Sequence, residues 1–196
     1  DKEMKSIKDI NFAGKKVMLR VDFNVPINEQ GEITDDTRIR ESMPTIEKLL
    51  ADGAAIIIMA HFGRPKNGFD PSLSLAPVAK HLSKILNREF TQELLGEKVS
   101  EIARNLKGGD VFLLENIRFY PGETKGDKEL AKQLADLGDC YINDAFGAAH
   151  REHSSTATIA QFFPNDKYFG FLMENEVKNL TLLMQNPQHP FTAIIG

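Results

Sequence analysis

Short apolar runs alternate along this chain with segments whose apolar residues recur every three or four positions. Lys16 to Val21, Ala54 to Ala60, Asp110 to Leu114, Cys140 to Asn143, Tyr168 to Met173 and Thr192 to Ile195 belong to the first kind. Their hydrophobicity is nearly continuous rather than alternating, which predicts strands covered on both faces, as in a parallel sheet. Thr37 to Ala51 belongs to the second kind: Ile39, Met43, Ile46, Leu49 and Leu50 fall at helical spacing, and Gly53 supplies a stop. Ala76 to Leu86, Glu93 to Leu106, Asp127 to Leu137 and Glu174 to Gln185 repeat the pattern, the last two closed by Gly138 and by Asn186 with Pro187.

Strands alternating with amphipathic helices predict β-α-β units. The expected fold is α/β: a doubly wound, mostly parallel sheet with helices on both faces, in a Rossmann-like three-layer αβα arrangement. No tandem repeat or low-complexity segment interrupts it. The longest stretch without an element is the polar loop Asn24 to Asp36, a length that often carries function. At 196 residues with 41% hydrophobic and 27% charged, the chain fits one globular domain with one sizeable core. The run at Gly196 stops straight after a strand-like segment, where a loop to a helix is expected, and reads as a truncated end.

Charge and cysteine content narrow the classes. The net charge of -4 offers no basic excess for general nucleic-acid binding. Cys140 is the single cysteine, so no internal disulfide can form, and its apolar neighbours mark it as a buried hydrophobe in a cytoplasmic protein. The charged start has no secretory core, and the longest apolar run is too short for a membrane span.

In open α/β sheets, ligands bind beyond the carboxyl ends of the strands. Four such ends deliver polar groups here: Asp22, Phe23 and Asn24; then His61, Phe62, Gly63 and Arg64; then Glu115 to Arg118; then Asp144 to Arg151. The chain has eight arginines, and Arg64, Arg118 and Arg151 lie in these loops, while Arg38 opens the helix after the long loop. Arginine forks suit carboxylate and phosphate, so the rim describes a site for a small, multiply anionic ligand. Any one of these arginines, taken alone, reads first as a solvated surface charge, and it is their gathering on one rim that points to a ligand; Asp22 beside Arg20 is equally a structural ion pair. His150 and His153 are spaced like a metal pair but lack further clustered ligands, so no metal is expected. His81 and His189 carry no assigned role. No G-x-x-x-x-G-K-[ST] motif occurs, and no G-x-G-x-x-G follows a strand, so nothing cradles a nucleotide triphosphate.

These loops are also where a family resemblance lies. RVDFNVP (Arg20 to Pro26), HFGRP (His61 to Pro65), LLENIRF (Leu113 to Phe119), NDAFGAAHREHSS (Asn143 to Ser155), GFLMENEV (Gly170 to Val177) and NPQHPFTAIIG (Asn186 to Gly196) resemble, in order, the N-terminal half of phosphoglycerate kinases. The resemblance implies a glycolytic phosphotransferase that moves the acyl phosphate of 1,3-bisphosphoglycerate to ADP, giving ATP and 3-phosphoglycerate. Residues 1–196 are then the N-terminal substrate domain, with residues 174–186 as the interdomain helix. The resemblance also implies a monomeric full-length enzyme whose Mg2+ with ADP or ATP is bound by a C-terminal domain absent here. It places the 3-phosphate on His61, Arg64, Arg118 and Arg151, with Phe62 and Gly63 beside them. Asp22, Phe23 and Asn24 meet the hydroxyl end, and His150 supports from behind. Arg38 is the catalytic residue, reaching the carboxyl end and the phosphoryl group in flight. Ala60, Ala148 and Glu152 depart from the family's common Ser, Thr and small residue, and Glu152 weakens anion affinity if it faces Arg151. On this reading the chain binds the acid substrate without turning it over. Two other readings stay open: an anion-binding module that works without a catalytic partner, and an interaction domain that keeps only the fold.

Overall fold

A computed structural model describes residues 5–66, 68–87, 92–149 and 151–185. In chain order the elements are β1 (Lys5–Ser6), β2 (Lys16–Arg20), α1 (Thr37–Glu41), α2 (Met43–Asp52), β3 (Ala55–Met59), α3 (Ala76–Leu86), β4 (Gln92–Glu93), α4 (Glu97–Asn105), β5 (Val111–Leu114), α5 (Lys128–Ala135), β6 (Cys140–Asn143), β7 (Lys167–Phe169) and α6 (Phe171–Gln185). The sheet runs β1-β7-β6-β2-β3-β5-β4, and every pairing is parallel. From β2 the chain first builds outward through β3, β4 and β5. It then returns past β2 to lay down β6 and β7 on the other side. The order therefore reverses between β2 and β6, and the crevice beyond their carboxyl ends is the expected place for a ligand.

Side chains in the strands alternate between two cores, as the pleat requires. Val17, Leu19, Ile56, Ile58, Leu113 and Ile142 face one side, where Ile46 and Leu49 of α2 and Val78 and Leu82 of α3 cover them. Met18, Ile57, Met59, Phe112, Leu114 and Tyr141 face the other, under Val99 and Ala103 of α4 and Leu130, Ala131 and Leu134 of α5. Both faces are buried, which explains the unbroken apolar runs in the sequence. The three-layer α/β architecture is as expected.

Four details differ from the pattern. The helix expected over Thr37 to Ala51 breaks at Ser42, whose N–H bonds back three residues to Ile39 at 3.1 Å; Pro44, with no N–H to give, then opens α2. Glu93 is not helical: with Gln92 it pairs with β5 as an edge strand, and α4 begins at Glu97. The strands β1 and β4, two residues each, are too short for any periodicity to announce. The run Tyr168 to Met173 is half strand and half helix, because Gly170 turns the chain against Asp144. A β-carbon at 170 would collide with the Asp144 carboxylate, and that carboxylate accepts the Met173 N–H at 3.0 Å in the first turn of α6. The strand expected over Thr192 to Ile195 lies outside the described residues.

Candidate functional site

The rim loops are anchored by buried groups before they offer exposed ones. After β2, Phe23 is fully buried and holds the loop down, while Asp22 Oδ1 accepts the Asn24 N–H at 3.1 Å to form a tight turn. Asn24 Oδ1 then accepts the Gly63 N–H at 3.0 Å, joining the loop after β2 to the loop after β3. Gly63 has φ of 60°, a left-handed backbone that favours glycine, and a β-carbon there would push Leu73 Cδ2, 2.7 Å away, aside. The Phe62 N–H and carbonyl both bond the buried Asn116 side chain, at 3.2 and 2.6 Å. Asn116 also accepts the Arg118 N–H at 3.0 Å and thereby caps the short 3-10 turn Ile117–Phe119 that carries Arg118. Beside it the buried Glu115 accepts from Ser74 Oγ, the Leu75 N–H and the Asn116 N–H, fixing the end of β5 to the start of α3.

Five of the expected residues line two grooves, while Phe23, Asn24, His61, Phe62 and Gly63 line neither. One, of about 530 Å³, is lined by Arg64, Arg118 and Arg151 together with Lys66, Lys125, Thr124 and Tyr120, and no carboxylate lines it. Arg118 donates from Nη1 to the Gly63 carbonyl at 3.2 Å, and its buried Nε has no hydrogen-bond partner among the described residues. Its guanidinium is shifted below its usual value, first by burial and then by Arg20 and Arg151. A cluster of like charges with unused donors is a site that gains from an anion.

The other groove, of about 470 Å³, lies at the β2–β6 reversal, between Asp22, Arg38, Asp35 and Glu41 on one side and Phe146, Gly147, Leu172 and Glu176 on the other. Arg38 is ion-paired to Asp22, with its side chain 55% exposed. Gly147 lets the loop after β6 come close, since a β-carbon would lie 3.3 Å from Asp22 Oδ2. The Asp22–Asn24–Gly63–Arg118 chain of contacts links the two grooves.

Arg20 does not pair directly with Asp22, the alternative left open by the sequence. It is fully buried, donating from Nε to Ser155 Oγ at 2.9 Å and from Nη1 to the Val21 carbonyl, with Nη2 2.9 Å from Nδ1 of His61. Burial lowers the His61 pKa to about 2, with Arg20, Arg118, His153 and Arg151 pressing in the same direction. The imidazole is therefore neutral at physiological pH. Glu152 and Arg151 are both exposed, and no ion pair joins them among the described residues. His150 lies outside the described residues. Burial pushes the Cys140 thiol up to about 12, so it is no nucleophile. Among the described residues no three His, Cys, Asp or Glu side chains gather as metal ligands, and no helix is long and apolar enough to cross a membrane. Lys66, Lys125 and Glu123 escaped the sequence reading. Glu115, Asn116 and Ser155 lie inside quoted motifs but had no role assigned to them.

Comparisons with known proteins point to one family. A family model described as phosphoglycerate kinase matches residues 7–196. The chain is 52% identical to the phosphoglycerate kinase of Thermosipho africanus over 99% of its own length and 48% of that protein's. It is 52% identical to that of Desulforudis audaxviator over 98% and 49%. Among solved structures, the phosphoglycerate kinase of Coxiella burnetii superposes with a TM-score of 0.83 at 39% identity, covering 96% of this chain and 47% of that one. That of Pyrococcus horikoshii gives 0.80 at 35%, covering 91% and 45%. The chain thus spans about half the length of the curated relatives it matches.

Proposed function

The chain belongs to the phosphoglycerate kinase family, and from that premise we propose that it forms the acid-substrate site of a kinase exchanging an acyl phosphate between 1,3-bisphosphoglycerate and ADP. Arg64, Arg118 and Arg151 hold the non-reacting 3-phosphate in the cation-lined groove, with neutral His61 as a further donor. Asp22 and Asn24 take the hydroxyl end. Arg38 leaves Asp22 to meet the carboxyl end and the phosphoryl group in flight. Phosphoryl transfer depends on positioning and cationic clamping more than on a covalent nucleophile, and an arginine on the moving group is worth about a thousandfold, or roughly 4 kcal/mol. The described residues do not fit a magnesium–nucleotide site: no three of their His, Cys, Asp or Glu side chains gather closely enough to hold a metal, and the sequence has no phosphate-cradling glycine motif. No step through the nucleotide is therefore assigned to them, and turnover requires residues beyond these 196. The helix α6 supports a junction there, because Leu182 and Met184 are 57% and 60% exposed near its end. A cytoplasmic, monomeric full-length enzyme belongs to the same proposal; the buried lone cysteine fits a reducing compartment.

The observation that carries this reading is the groove in which three arginines and two lysines meet without a carboxylate. Calorimetric titration of 3-phosphoglycerate into the chain tests it, at low and moderate salt and beside Arg118→Ala. Saturable binding that weakens with salt and falls about a hundredfold in the variant is expected, since the groove is open to screening. A folded chain that does not bind would refute the proposal, as would nucleotide-dependent turnover by the 196 residues alone for the division of labour.

A further inference from the structure

Beneath the arginines lies a carboxylate. Glu123 sits in the loop 120–127, five residues after Arg118, and is wholly buried. Both its oxygens are engaged by Ser155, which lies four residues after Arg151: Oε1 accepts the backbone N–H at 2.9 Å and Oε2 the hydroxyl at 2.5 Å. The same hydroxyl oxygen accepts from Arg20 Nε at 2.9 Å. The Glu123 carbonyl accepts the Ser154 N–H at 2.8 Å, so the two arginine-bearing loops are joined through backbone as well. Arg20 extends the chain of contacts to His61, with Nη2 2.9 Å from Nδ1.

We propose that Glu123 is a positioning residue, which through Ser155 and Arg20 fixes His61 as the tautomer protonated on Nε2 and holds the Arg118 and Arg151 loops at their working separation. The effect on ligand affinity rests on the substrate-site reading above; the effect on His61 does not. A guanidinium has only protons to offer, so His61 Nδ1 must accept, and the single proton of the neutral ring is left on Nε2. Arg20 cannot swing away, because Ser155 and the Val21 carbonyl hold its other nitrogens. The groups facing His61 are Arg20, Arg118, Arg151 and His153, and they all disfavour a second proton on the ring. The result is an N–H donor set among arginines that adds no further positive charge to their cluster.

Imidazole nitrogen NMR of the ligand-free chain, paired with 3-phosphoglycerate titration, tests this on wild type, Glu123→Gln, Ser155→Ala and Ser155→Thr. Wild type is expected to show one neutral His61 tautomer, protonated on Nε2, from pH 8 to pH 5. Glu123→Gln and Ser155→Ala are expected to show mixed tautomers and about tenfold weaker binding, with the amide signals of β3 and β5 unmoved. Ser155→Thr keeps the hydroxyl and is expected to restore both readouts. A wild-type ring protonated on Nδ1, or an unchanged tautomer in both Glu123→Gln and Ser155→Ala, overturns the inference. If Glu123→Gln does not fold, the Ser155→Ala and Ser155→Thr pair decides it alone. A tautomer that responds as expected in a chain that never binds 3-phosphoglycerate would sustain the role of Glu123 toward His61 and remove the substrate reading.

Discussion

The two grooves are built in opposite ways. Around Arg118 the polar groups are layered: Asn116, Glu115, Glu123 and Ser155 are buried, and each forms hydrogen bonds that fix a loop from below. The cations they support face a space with no counter-charge. Around Arg38 the order is reversed, since the arginine is exposed and its counter-charge, Asp22, is already in contact. The first groove gathers like charges on fixed loops and is pre-organised for an anion. The second already pairs its cation and must exchange one partner for another. Binding energy is cheapest where no reorganisation is needed, so affinity is expected to reside in the first groove, whereas the second suits a residue that acts only as charge moves.

Breaking the buried layer should have the largest effect. Glu123→Gln leaves Arg20 buried without its carboxylate and is expected to destabilise the fold by about 3–5 kcal/mol, measured by urea unfolding. A loss below 1 kcal/mol would mean that the layer is not structural. Removing the ligand-facing fork comes next: Arg118→Ala is expected to weaken 3-phosphoglycerate about a hundredfold, roughly 2.7 kcal/mol, with stability nearly unchanged. Arg38→Ala in the same titration is expected to cost less than about 1 kcal/mol, since a solvent-exposed pair contributes little. Equal losses from the two variants would erase the distinction between the grooves.

The pH dependence sharpens the comparison on the same lines. His61 has its folded pKa lowered from 6.5 to about 2, so as pH falls the unfolded chain takes up a proton that the folded chain refuses. The stability from this group is complete above 6.5 and declines below it, by about 1.4 kcal/mol per pH unit. Wild type minus His61→Gln, unfolded at pH 7 and pH 5, isolates it. A smaller response comes from beside the Arg38 groove. There Asp36 has its pKa lowered by the His81 hydrogen bond against the opposing pull of burial, with Arg40 assisting. Its contribution is present above the ordinary 3.8 and lost as pH falls through the lower folded value. His81→Ala is expected to return the Asp36 titration, followed by carboxyl NMR, toward that ordinary value.

Much of this was legible in the chain, for reasons that particular residues make plain. Arg64, Arg118 and Arg151 follow the ends of β3, β5 and β6, and a parallel sheet sends all those ends to one edge. Spacing alone put Arg38 on the same rim, and only the family resemblance set it apart, because its place depends on the path of the loop 24–36, closed by the isolated bridge between Ile27 and Ile33. Glu123 was not legible. The segment Pro121 to Asp127 is polar and without periodicity, and it is the contact with Ser155, 32 residues away, that takes the Glu123 side chain into the interior. Tyr168 to Met173 misleads for a similar reason: the residue that ends the strand is Gly170, and what requires glycine there is Asp144 of another loop. Periodicity reports each element's own burial, not the partner that another segment brings.

The structure of this chain with 3-phosphoglycerate bound tests the central claim most directly. The phosphate is expected between Arg64, Arg118 and Arg151, with the carboxylate directed toward Asp22 and Arg38 and the Asp22–Arg38 pair opened. A phosphate seated at Arg38, with the cation-lined groove left empty, would contradict the assignment of both grooves.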